Sequence, residues 1–175
     1  MVTILADKTM SRMAQEMYDK ITAAHNEAKY FNLQDMKIEP CIACRACEEK
    51  VYGRCVVRDD ADLILPSFAR SRTIIIFTPI VFGGYSFQVK RAIDKISLIG
   101  DRHYYYQNGE LVKGNLTGMN YYVIGIQDGK DPEEAELFRQ FVAETVKIAN
   151  WTGRAIVMPQ DAAVYDGLIK EPKVL

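Results

Sequence analysis

Histidine is nearly absent from this sequence, with only His25 and His103 among 175 residues, and no serine stands in a nucleophile-elbow context. Hydrolytic chemistry built on an imidazole base and an activated serine therefore has little support. Neither sign of charge predominates: 22 basic residues face 23 acidic ones, and the basic ones are dispersed. That excludes the basic stripe by which proteins hold nucleic acid or an anionic membrane. No apolar run is long enough to cross a bilayer, and the N-terminus lacks the basic region and long apolar run of a secretion signal. A cytoplasmic protein is expected, and the sequons at Asn115 and Asn150 are read as chance. With no repeat, low-complexity tract or linker, one domain over residues 1–175 is expected, large enough for a real core.

Cysteine is scarce but concentrated. All four lie in one loop over residues 40–58, at Cys41, Cys44, Cys47 and Cys55, spaced C-x2-C-x2-C-x7-C. Two intervening residues let the backbone curl so that successive sulfurs face the same side. An iron–sulfur cluster is the first candidate. A zinc ion held by four thiolates, two disulfides, and free thiols with one of them redox-active are the alternatives.

Along the chain, Val2–Ala6 reads as a first strand, and Met10, Met13, Ala14, Met17 and Ile21 recur at helical spacing, with Thr9 or Ser11 as cap. That methionine stripe is core material. Lys29–Leu33 reads as a second strand. Asp59 and Asp60 open a helix by meeting its free N–H groups, and Pro66 is expected to bend that helix or delay its start. Thr73–Phe77 is a β-branched run of the kind buried on both faces of a parallel sheet. Val89, Ala92, Ile93 and Ile96 mark a further helix, Tyr121–Ile126 a fourth strand, Phe138 to Ala149 a long helix, and Ala155–Met158 a fifth strand.

This alternation indicates an α/β three-layer sandwich: a five-stranded parallel sheet of flavodoxin-like order 2-1-3-4-5, with helices on both faces. Ligands bind such sheets outside the carboxyl ends of the strands. Three loops leave those ends, at Asp7–Ser11, Thr78–Ser86 and Gln127–Asp131. One insertion, over residues 102–114, breaks the pattern. Tyr104, Tyr105 and Tyr106 precede Asn108-Gly109, a strong signal for a two-residue hairpin turn. So much aromatic surface is expected to cover a pocket or meet another subunit. His103 is read as a packing residue.

Thr78-Pro79-Ile80-Val81-Phe82-Gly83-Gly84-Tyr85-Ser86 and the following Val89-Lys90-Arg91-Ala92-Ile93-Asp94 resemble the second flavin loop and helix of the NAD(P)H-dependent FMN reductases. The cysteine stretch running to Asp59-Asp60 resembles that of the iron–sulfur flavoproteins in the same superfamily. The resemblance is strong over residues 38–97. It implies FMN at the strand ends, with Thr78, Pro79, Ile80, Val81, Phe82, Gly83 and Gly84 along the ring. Gly83 and Gly84 suit close approach of main chain to a flat ring. Lys8, Thr9, Ser11 and Arg12 would meet the phosphate, although this first loop is short, holds Asp7 and has no glycine. Gln127, Asp128 and Gly129 form the third loop, where the family tends to small residues.

The resemblance further implies NAD(P)H or a protein as electron donor, a [4Fe–4S] cluster on Cys41, Cys44, Cys47 and Cys55, and a homodimer or homotetramer with the cysteine loop and hairpin near a neighbour's flavin. The flavin would supply the chemistry, so no catalytic side chain is named. Two alternatives stand beside this reading. One is a cluster-free flavin or quinone reductase. The other is a scaffold that has lost its flavin and binds a partner through the tyrosine hairpin, with structural zinc.

Overall fold

In the computed structural model, residues 1–51, 53–98, 104–113, 118–127, 129, 131–159 and 167 are described. In chain order the elements are β1 (Val2–Ala6), α1 (Ser11–Ala23), β2 (Ala28–Asn32), α2 (Ala46–Glu49), α3 (Ala61–Arg70), β3 (Thr73–Pro79), α4 (Phe87–Asp94), β4 (Tyr104–Gln107), β5 (Glu110–Lys113), β6 (Asn120–Gln127), α5 (Pro132–Ile148) and β7 (Thr152–Pro159). Five strands form one parallel sheet in the order β2-β1-β3-β6-β7. This is the expected 2-1-3-4-5 order, with β6 and β7 as its fourth and fifth members. The flavodoxin-like fold follows from it.

Period-two alternation sorts the strand residues between two cores. Ile75 and Phe77 of β3 join Ile4, Tyr122 and Ile124 under Ala14, Met17 and Ile21 of α1. Ile74 and Ile76 join Leu5, Tyr121 and Val123 under α3, α4 and α5, through Phe68, Val89, Phe138 and Val142. Each such aliphatic side chain, fully buried, contributes about 1.5–3 kcal/mol. The methionine stripe of α1 is core, as expected: Met10 and Met17 are buried.

Three details depart from the sequence reading. Neither Thr9 nor Ser11 caps α1. Asp7 instead accepts from the Thr9 N–H and starts a short 3-10 turn over Lys8–Met10 that runs into α1. Asp59 does cap α3, accepting from the Ala61 N–H at 3.0 Å, but Asp60 makes no side-chain cap. Its carboxylate accepts instead from the Lys37 N–H at 2.6 Å. Pro66 neither delays nor ends α3, which runs through it to Arg70. The proline removes one N–H from the helical ladder, and burial of Ile64, Leu65 and Phe68 holds the helix across the gap.

The hairpin is present, with Tyr106 opposite Leu111. Asn108 and Gly109 both take positive φ, 54° and 83°, as a primed two-residue turn requires. It docks on the end of α5: the Asn150 amide donates to the Tyr105 hydroxyl at 2.7 Å, and Lys147 pairs with Glu110 at 2.5 Å. His103 lies outside the described residues. Among those described, no helix is long and apolar enough to cross a membrane.

Candidate cofactor site

The three strand-end loops meet at the carboxyl edge of β1, β3 and β6. The second loop is the most constrained. Thr78 is buried and its hydroxyl oxygen accepts from the Ser86 N–H at 3.0 Å, closing the loop at its base. The Ile80 N–H donates to the Ile126 carbonyl at 2.8 Å, which extends the pairing of β3 with β6 past Pro79. Val81 and Gly84 exchange backbone hydrogen bonds at 3.1 and 2.9 Å, so Phe82 and Gly83 form the tip. Both have positive φ, 49° and 70°. For a side chain as bulky as phenylalanine this is uncommon strained backbone, and Phe82 is 99% exposed.

Two glycines in this loop have different causes. At Gly83 a Cβ would lie 3.0 Å from Leu137 Cβ, so the loop's packing on α5 calls for it. At Gly84 a Cβ would meet only the Val81 carbonyl oxygen, at 3.6 Å, an ordinary contact, and φ is not positive. The fold therefore does not require glycine at 84, and the bare backbone there suits a flat ligand. Gly84→Ala is expected to leave the thermal midpoint within a few degrees of wild type, or slightly raised, while weakening flavin binding about tenfold, read by fluorescence titration.

Tyr85 anchors the loop from below. Its hydroxyl shares a 2.9 Å hydrogen bond with the Tyr121 hydroxyl, and burial pushes the Tyr85 hydroxyl up to about 12. Both rings stay neutral at physiological pH. The third loop is braced rather than open: Gln127 is buried and its amide donates to the Asp131 carbonyl at 2.5 Å. Gly129 has φ 109°, and Asp128 lies outside the described residues.

The first loop is filled by its own side chain. Asp7, buried behind β1, accepts from the Thr9 N–H at 3.1 Å, the Thr9 hydroxyl at 3.0 Å and the Ser86 hydroxyl at 2.6 Å. The Ser11 hydroxyl donates to the Lys8 carbonyl at 3.0 Å. Arg12 is exposed and pairs with Glu16. At the tip of the second loop, then, Gly84 leaves main chain uncovered and Phe82 stands in solvent. At the phosphate end the Thr9, Ser11 and Ser86 donors are taken by acceptors of the protein itself.

The cysteine loop is a second site. Cys41, Cys44, Cys47 and Cys55 all line one small hollow, together with Arg45, Ile42 and Lys95. All four are free thiols. Ala43 and Arg45, on either side of Cys44, have φ of 52° and 57°, a left-handed backbone costing about 1–2 kcal/mol per non-glycine residue. Those two reversals wrap the chain around the hollow. Burial and the neighbouring Glu48 push the Cys47 thiol up, with smaller contributions from Cys55 and Cys41. Among the described residues, no three His, Cys, Asp or Glu side chains converge closely enough to hold a single metal ion. Four thiols around one hollow are the donor set that an iron–sulfur cluster takes.

Asp59 and Asp60, read from sequence as helix caps, also clasp the neck of this loop. Asp60 accepts from the Lys37 N–H and Asp59 from the Glu39 N–H at 2.9 Å. Asp59 also pairs with Lys95, both side chains being almost wholly buried at 4% and 1% exposure. Burial works against the Asp59 carboxylate, but the hydrogen bonds from Lys95, Glu39 and Ala61 outweigh it and hold the carboxyl below its usual range. Arg91 donates to the Ile38 carbonyl at 3.4 Å. Lys95 was legible in one respect: it follows Val89 and Ala92 in the apolar register of the helix, where a lysine calls for a buried partner.

A five-stranded parallel sheet in this order, with its loops gathered at the carboxyl ends of the strands, is the flavodoxin-like architecture. Among solved structures, the fold is shared with azoreductase AzrA, at a TM-score of 0.65 and 12% identity over 91% of this chain and 87% of that one. It is shared also with an FMN-dependent NADH-azoreductase from Bacillus anthracis solved in complex with FMN, at a TM-score of 0.63 and 15% identity over 95% and 91%. The sequence pattern of the NADPH-dependent FMN reductases matches residues 5–146, and the chain belongs to that family. An iron–sulfur flavoprotein of Methanocaldococcus jannaschii is 34% identical over 83 residues, 47% of this chain. The matched stretch spans only 42% of that relative's length.

Proposed function

We propose that this protein is a flavin-dependent oxidoreductase fed by NAD(P)H, with an iron–sulfur cluster on Cys41, Cys44, Cys47 and Cys55 that relays single electrons. The observation that carries this reading is the reach of one helix. Ser86, at the start of α4, hydrogen-bonds Asp7 in the crevice. Arg91 within α4 and Lys95 just beyond it brace the neck of the cysteine loop. At 1.5 Å per residue, the ends of α4 stand about 12 Å apart, so one rigid element indexes both sites.

A bound flavin supplies both one- and two-electron chemistry. The chain's part is to hold the ring and keep its surroundings fixed. The Val81–Gly84 turn presents bare backbone at Gly84. Phe82 stands at the tip to border the ring. Thr78, Tyr85 and Gln127 lock the loops. Lys8 and Arg12 place positive charge at the outer lip. The exposed Tyr106 and Leu111 of the hairpin support a homodimer or homotetramer, in which a second copy covers them.

Anaerobic isolation tests the reading. Flavin bands over a broad cluster absorption are expected, with about four irons and four sulfides per chain, lost together when Cys44 is replaced by serine. Flavin without iron leaves a cluster-free flavin or quinone reductase. Colourless protein that quenches no flavin fluorescence overturns both.

A further inference from the structure

The loop after β1 has its donors turned inward. In a site for a phosphorylated ligand, the N–H and hydroxyl groups at the start of the following helix are offered to the phosphate. Here the Thr9 N–H, the Thr9 hydroxyl and the Ser86 hydroxyl all donate to Asp7, whose carboxylate is an acceptor only. Asp7 is 5% exposed, so these bonds are shielded from water. The Lys8 N–H and the Ser11 hydroxyl are also engaged, with Gln88 Oε1 and the Lys8 carbonyl. A phosphate entering this end would meet a fixed negative charge and no free donor among these groups.

We propose that Asp7 is an internal anion standing in the place of a flavin phosphate, so that the site takes its flavin by the ring and discriminates little between FMN and riboflavin. This rests on the flavin reading above. The carboxylate has a structural role as well. It ties the β1 loop to the start of α4 across 79 residues, as a bound phosphate would if the donors were free. Like charges at close range oppose one another strongly where water is excluded. Removing the charge while keeping the shape should therefore open the site to the phosphate. Asparagine does this: its carbonyl can still accept from Thr9, and its amide can donate to the Ser86 oxygen.

Fluorescence titration of the full chain with riboflavin and with FMN provides the test. Wild type is expected to bind the two within about threefold of each other, and Asp7→Asn to tighten FMN about tenfold while leaving riboflavin unchanged. Wild type that holds FMN on the order of 100-fold tighter than riboflavin overturns the proposal. So does an FMN-to-riboflavin ratio that Asp7→Asn does not move while both flavins bind, and that outcome leaves the flavin reading intact. If neither flavin binds either protein, the flavin reading fails and takes this proposal with it. Should Asp7→Asn not fold, the wild-type ratio decides alone.

Discussion

Replacing Lys95 by methionine is expected to lower folding stability by about 3–5 kcal/mol, because it strands the Asp59 carboxylate in the interior. The two side chains are 1% and 4% exposed, so water cannot take over from the lost partner. Asp59 is also the junction of three segments: it caps α3 through the Ala61 N–H, holds the Glu39 N–H at the mouth of the cysteine loop, and pairs with Lys95 after α4. Breaking the pair therefore loosens the loop that carries the cysteines. The double variant Lys95→Met with Asp59→Asn should recover much of the loss, since the amide is neutral and its oxygen still accepts from one backbone N–H.

The pH dependence gives a second readout. In wild type the Asp59 carboxyl lies below its usual range, so its contribution is fully present above about pH 4 and is lost as pH falls through the lowered folded value. In Lys95→Met, burial is left opposed only by the backbone hydrogen bonds. Acid should then relieve the penalty rather than add to it. Urea melts of both proteins at neutral and mildly acidic pH check the sign. Equal stabilities at neutral pH would show that the pair contributes nothing.

Gly153→Ala is expected to cost about 3 kcal/mol or more, or to prevent folding. Gly153 has φ 140° and lies opposite Tyr121 in the β6–β7 ladder. A Cβ built there would sit 1.8 Å from the Tyr121 carbonyl oxygen and 2.6 Å from its carbonyl carbon. Those are backbone atoms of a central strand, and they cannot swing aside as a side-chain tip can. The edge strand must separate locally or the glycine must stay. Gly109→Ala is the control. Its φ is also positive, at 83°, but nothing lies within 4 Å of the added carbon, so only the conformational cost of about 1–2 kcal/mol applies. Thermal melts of the two variants separate the clash from the dihedral. Similar midpoints would sink the steric account.

The sheet was legible in the sequence because its signal is local. Thr73–Phe77 is β-branched and apolar throughout, and the observed strand begins at the same residue and runs on to Pro79. Asn108-Gly109 announced its hairpin for the same reason: a two-residue primed turn needs two left-handed residues, and these tolerate that conformation. Pro66 misled because its cost is local while its compensation is not. The helix continues on the burial of Ile64, Leu65 and Phe68 against a sheet that the segment itself does not encode. The cysteine spacing put four thiols on one short loop, and all four line a hollow there.

By itself, then, the sequence determined the strands, the two faces of the sheet and the positions of three loops and one cysteine-rich loop, since periodicity and turn chemistry act over a few residues. Tertiary structure alone decided which charges meet. Asp59 finds Lys95 across 36 residues, and Asp7 finds Ser86 across 79. Electrostatic partners are set by distance in space and by exclusion of water, and neither exists until the sheet has assembled and its loops have closed on one another.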